Sequence, residues 1–108
     1  MITVSGITIL LLACGKGKVS YTPDCSTAKS YATDVSPIIQ SYCATNSGCH
    51  ASGSSQGPGA LTTYSQVYTA RTSIRTAVAN GSMPQNSSLS NDQKNAILCW
   101  IDSGAENN

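Results

Sequence analysis

Hydrophobic residues in this chain gather in four runs set between long polar stretches. The first, Met1 to Ala13, carries no charged side chain and is too short to span a bilayer as a mature helix; its length suits the h-region of a signal peptide. In the second, Val35, Ile38, Ile39 and Tyr42 recur at i, i+3, i+4 and i+7, one face of a helix. Asp34 or Ser36 is placed to cap that helix, Pro37 fits its first turn, and Cys43 falls at its C-terminal end. The third run places Tyr64, Val67 and Tyr68, then Ile74, Ala77 and Val78, at helical spacing. This predicts one bent helix or two short ones, capped by Thr62 or Thr63 and closed at Gly81. The fourth lays Ala96, Ile97, Trp100 and Ile101 on one stripe, with Ser90 and Gln93 forming a capping box and Gly104 at the left-handed stop.

The polar stretches have no helical period. Gly15 to Thr33 reads as a tether whose end is pinned to the domain, and it contains Cys25. Ala51 to Thr63 includes Gly57-Pro58-Gly59, which forbids regular structure, so it reads as a loop returning past Cys49 and His50. Asn107 and Asn108 are expected to run out into solvent. The fold class expected is all-α, with three to four short helices in one domain from Asp34 to Asn108, preceded by a segment 1–13 and a linker 14–33.

Composition narrows the function classes. Charged residues make up 10% of the 108 residues, against about 25% in a typical soluble domain, and six Lys+Arg stand against five Asp+Glu. No strong field results, which argues against nucleic acid and against binding to acidic lipid through a basic patch. With no Phe and one Trp, the core is small, and a domain of this size commonly needs a staple, metal or cofactor.

Chemistry-bearing residues concentrate in Cys43-Ala44-Thr45-Asn46-Ser47-Gly48-Cys49-His50, which holds the only histidine. Two cysteines with a histidine directly after the second match the end of a haem c attachment motif, in which the thiols add to vinyl groups and the imidazole reaches the iron. The usual motif has two residues between the cysteines; this one has five, and the turn formers Asn46, Ser47 and Gly48 allow a bulge. A Cys43/Cys49 disulfide or half of a zinc site are the other readings of these residues. Met83, in Asn80-Gly81-Ser82-Met83-Pro84, is a soft thioether ligand or a core filler. Arg71 and Arg75, one turn apart, suit a propionate or a solvated face.

The order of these features resembles a class I c-type cytochrome, and the finer text looks like the small cytochrome c domains of bacterial lipoproteins. Val35-Ser36-Pro37-Ile38-Ile39, Ser47-Gly48-Cys49-His50, Leu61-Thr62-Thr63-Tyr64, Asn80-Gly81-Ser82-Met83-Pro84 and Trp100-Ile101-Asp102-Ser103-Gly104-Ala105 carry the likeness, over about Asp34 to Asn108. It implies a cytochrome c-like fold around one haem attached through Cys43 and Cys49, with His50 as proximal and Met83 as distal iron ligand. It also implies that the first and last helices cross, with Trp100 near the haem edge. Leu11-Leu12-Ala13-Cys14 resembles a bacterial lipobox, with cleavage before a lipidated Cys14. With Cys14 given to lipid and Cys43 and Cys49 to haem, parity leaves Cys25 and Cys99 as a candidate disulfide.

The expected function is a membrane-tethered, single-electron carrier in the bacterial cell envelope, facing the periplasm or on the outer membrane, with redox proteins as partners. Two other readings stand beside it: a haem enzyme or sensor with an open iron site, and a haem-free, disulfide-stapled lipoprotein that binds a partner. The sequence carries no independent catalytic set, neither a Ser/His/Asp spacing nor a phosphate loop, so an enzyme is not the expectation.

Overall fold

The computed structural model describes residues 20–45, 49–55, 57–85 and 87–108. Residues 1–13, read above as a signal peptide, the lipidation candidate Cys14, the first part of the linker and the turn formers Asn46, Ser47 and Gly48 lie outside them. Among the described residues the regular elements are all helical.

Helix α1 covers residues 31–43. Two turns with i→i+5 hydrogen bonds, Tyr31–Val35 and Ile39–Cys43, flank a single α-helical turn, Ser36–Ile38. Pro37 supplies a reason for the first wide turn, because a proline inside a tight helix collides with the carbonyl four residues earlier and removes a donor. The cap is Ser30 and not Asp34 or Ser36. Its side chain accepts from the Thr33 N–H at 3.1 Å, while its own N–H donates to the Asp34 carboxylate at 2.8 Å. Tyr31, Val35 and Ile39 are buried along one row, with Ile38 and Tyr42 half-buried beside them.

Helices α2 (Tyr64–Thr69) and α3 (Arg71–Asn80) are separate, parted at Ala70. Thr63 and Gln66 form a capping box at the start of α2, and Gly81, with φ of 82°, closes α3 in the left-handed conformation. Helix α4 (Asn91–Asp102) opens on the Ser90/Gln93 box. Every residue from Ala96 to Trp100 is buried, so α4 is the central element; it packs against α3 and the first turn of α1.

An aromatic cluster holds these helices together. Trp100, 1% exposed, lies with its ring 5.4 Å from Tyr31 and 6.3 Å from Tyr64. Its indole N–H donates to the Glu106 carbonyl at 2.8 Å, and the Tyr64 hydroxyl donates to the Ala105 carbonyl at 2.7 Å. The C-terminus is correspondingly tied in. Contrary to the expectation that Asn108 runs free, its side-chain oxygen accepts the Tyr31 N–H at 2.9 Å, satisfying a donor that the start of α1 leaves without an intrahelical partner.

The described part of the linker is a strap bound to the domain. Cys25 and Cys99 form a disulfide with Cα atoms 5.3 Å apart. The Asn95 side-chain oxygen accepts from both the Tyr21 hydroxyl (2.8 Å) and the Asp24 N–H (3.0 Å), and the Tyr21 N–H donates to the Ala79 carbonyl at 2.8 Å. Packed structure therefore begins ahead of Asp34.

A candidate cofactor cleft

A cleft of about 400 Å³ opens between the C-terminal half of α1 and α3, bounded by the loop after Cys49 and by the segment after Gly81. That volume lies within the range of small-molecule and cofactor sites, about 300–1,000 Å³. Its apolar wall is Ile39 from α1, Leu61 from the loop, and Ile74 and Val78 from α3, all buried. Cys43, Cys49, His50 and Met83 line the same cleft, so residues spread over forty positions of sequence meet at one surface.

The loop brings each of them there by specific bonds. The His50 N–H donates to the Cys43 carbonyl at 3.0 Å, which folds the two ends of the Cys43–His50 run together. The Leu61 N–H donates to the His50 carbonyl at 2.6 Å, and the Gln40 side chain donates to the Leu61 carbonyl at 2.9 Å, anchoring the return of the loop on α1. The Ser54 hydroxyl donates to the Cys49 carbonyl. On the other side, the left-handed Gly81 turns the chain and the Met83 N–H donates to the Ala77 carbonyl at 3.3 Å, laying Met83 back along α3.

His50 is 6% exposed, and its Nδ1 lies 2.7 Å from the Gly59 carbonyl oxygen. A carbonyl only accepts, so in the neutral imidazole Nδ1 carries the proton and Nε2 keeps its lone pair. Metal-bound histidines are commonly oriented by such a second contact. Cys43 and Cys49 are both free thiols. Burial, and then the neighbouring Cys49, push the Cys43 thiol up to about 11.

Among the described residues no three His, Cys, Asp or Glu side chains converge as a metal-ion site. Two thiols, a thioether and an imidazole beside an apolar wall are donors of the kinds that hold a haem c.

Three residues singled out in the sequence do not line the cleft, and for Arg71 and Arg75 this agrees with the solvated-face reading. Trp100 does not line the cleft; its side of α4 faces Tyr31 and Tyr64. Arg75 is held by the Asp102 carboxylate through two bonds of 2.6 and 2.8 Å, which ties α3 to α4 at the surface. Arg71 donates to the Tyr68 carbonyl and lies 3.9 Å over the Tyr68 ring. Neither arginine faces the cleft. The contribution of Gly59 was missed; the one signal for it was the Gly57-Pro58-Gly59 punctuation, which marks a fixed turn but not which carbonyl the turn presents.

Among the described residues no helix is long and apolar enough to cross a membrane. Comparison with protein families, with curated proteins and with solved structures finds no match to this chain.

Proposed function

We propose that this chain is a monohaem c-type cytochrome, tethered to a membrane through a lipidated Cys14 and passing single electrons in the cell envelope. The observation that carries the reading is the assembly of Cys43, Cys49, His50 and Met83 on one apolar cleft, with the His50 Nε2 lone pair left free by the Gly59 carbonyl. A cytochrome c-like fold is part of the proposal, supported by the packing of α4 on the start of α1. The Cys25–Cys99 disulfide suits an exported chain, since such bonds persist in oxidising compartments.

A bound haem supplies one reversible electron, at a potential that a thioether ligand raises. The residues of the chain do the rest. Cys43 and Cys49 hold the group covalently. His50 gives its Nε2 lone pair, kept in tautomer and orientation by Gly59. Met83 gives its sulfur from the segment laid along α3. Ile39, Leu61, Ile74 and Val78 exclude water, so charge on the group is less well solvated than in the open.

The test is covalent attachment. The protein is exported alongside haem-attachment machinery, fully denatured, and examined by intact mass and in-gel haem stain. Haem retained through denaturation supports the proposal; apoprotein, under conditions that load a control cytochrome, overturns it.

A further inference from the structure

Asn80-Gly81 is the only Asn-Gly pair in the sequence, and it stands at the end of α3, just ahead of Met83. In such a pair the asparagine side chain is open to attack by its own backbone. The nitrogen of the following residue reaches the side-chain amide carbon and closes a five-membered ring, and glycine puts no Cβ in the way.

The fold leaves that reaction open. The Ser82 N–H donates to the Asn80 side-chain oxygen at 2.8 Å, which folds the side chain back over the main chain beside Gly81 and makes its amide carbon more electrophilic. The attacking nitrogen is loosely held, because the Gly81 N–H reaches the Val78 carbonyl only at 3.3 Å, beyond the ordinary range for such a bond. Asn80 is half-buried while Gly81 and Ser82 are exposed, and Asn80 and Gly81 line an open recess with Tyr21 and Lys94, so water has access. Asn95 differs: it lies inside α4, it is followed by Ala96, and its side-chain oxygen is bonded to Tyr21 and Asp24 of the strap.

We propose that Asn80 is a site of spontaneous deamidation, and that the change acts on the cleft through Met83. The Gly81 nitrogen bonds to Cγ of Asn80, its proton goes to Nδ2, and the Cγ–Nδ2 bond breaks, releasing ammonia and leaving a succinimide. Water then opens the ring at Cγ, forming aspartate, or at the backbone carbonyl carbon, forming isoaspartate, whose main chain runs through Cβ and Cγ. One water is consumed for each ammonia released, and nothing is oxidised or reduced. Either product puts a carboxylate at the C-terminal end of α3, where the helix already carries partial negative charge. Lys94 is the charged side chain that lines the same recess among the described residues. Isoaspartate also adds one carbon, about 1.5 Å of covalent path, to the main chain ahead of Met83. That stretch is held to α3 by the Met83 N–H at 3.3 Å and the Ser82 hydroxyl at 3.5 Å, both donating to the Ala77 carbonyl, so lengthening it displaces Met83. The conversion stands whether or not the cleft holds a haem; its effect on iron ligation rests on the carrier reading.

The experiment holds the haem-free chain, with its disulfide intact, at mildly alkaline pH and body temperature over days, beside the same chain unfolded in guanidinium. Both are then digested for peptide mass mapping, and isoaspartate is read by enzymatic methylation. Asn80 should convert to both products in the folded chain, ahead of Asn91 and Asn95, at a rate within about tenfold of the unfolded one, because an exposed helix end opens at little cost. Asn80→Gln, which would have to close a six-membered ring, should show no conversion over the same period. Hydrogen exchange at the Met83 amide should rise at least about tenfold in the isoaspartate fraction. It should stay near the wild-type rate in Asn80→Asp, which supplies the charge without the added carbon. Haem-loaded protein, aged in the same way, should lose the optical signature of sulfur ligation in its isoaspartate fraction. Asn80 intact in the folded chain, whatever the unfolded chain does, overturns the site. Conversion with Met83 exchange unchanged overturns the action on the cleft. A chain that converts at Asn80 and never loads haem overturns the carrier reading and leaves the modification site standing.

Discussion

The imidazole of His50 and the carbonyl of Gly59 form a 2.7 Å hydrogen bond that fixes which ring nitrogen is free. The bond is internal to one loop, so it exists before any ligand arrives. In the haem-free chain with its thiols reduced, the His50 ring is therefore expected in the Nδ1–H tautomer. Long-range proton–nitrogen correlation spectra check this directly, and an Nε2–H ring would mean that the loop does not present a lone pair to the cleft.

Met83 is half-buried and its backbone N–H, not its side chain, ties the segment to α3. Met83→Ala should thus cost at most about 2 kcal/mol of stability, the low end for truncating a side chain of this size. In haem-loaded protein the same change should abolish the optical signature of sulfur ligation. Unchanged spectra would remove Met83 as a ligand.

Cys43 provides a pH dependence. Its folded value, about 11, lies above the ordinary value of 9.0, because burial and then Cys49 disfavour the thiolate. Between these two values the unfolded chain gives up a proton that the folded chain retains. Stability is intact below about pH 9 and falls as pH rises through 11, by about 3 kcal/mol for the two-unit displacement. Urea denaturation of the haem-free chain across that window should show the loss, and Cys43→Ala should flatten it.

The Cys25–Cys99 bond joins residues 74 apart in sequence. Closing a loop of that length in the unfolded chain corresponds to about 4 kcal/mol in the chain-entropy treatment. Cys25→Ser with Cys99→Ala should lower stability by about 2–5 kcal/mol. Hydrogen exchange should show the strap opening first, since the bonds to Asn95 and the Ala79 carbonyl and the packing of Tyr21 then hold it without a covalent link. A melting midpoint equal to that of the wild type would contradict this.

Local chemistry was the legible part of the sequence. Ser90 with Gln93, Gly81, Gly104 and one of the two threonines before Tyr64 act over three or four residues, and the structure uses them as the pattern predicts. The start of α1 was not legible. Tyr31, Ala32 and Thr33 show no apolar period, and the first N–H of the helix finds its acceptor in Asn108, at the far end of the chain. The wide turns of α1 leave no trace in spacing either, since they change which carbonyl is bonded and not which residue types are present. At the site, the residue types announced themselves: two cysteines, the single histidine and a Met-Pro. Their meeting on one cleft depends on the Gln40 to Leu61 bond and the return of Met83 along α3, contacts that no short motif encodes. The neighbours of Trp100 were not legible for the same reason, because its stripe on α4 tells that it is buried but not that Tyr31 and Tyr64 bury it.

The position of the disulfide also decides how the protein bears load. Every residue lining the cleft lies between Cys25 and Cys99 in sequence. A pull applied between the N-terminal segment and the C-terminus passes along the strap to Cys25, crosses the covalent bond to Cys99, and leaves through the end of α4. The intervening chain, with both thiols, His50 and Met83, is shunted out of the force path, so tension on the N-terminal end cannot stretch the cleft open while that bond is intact.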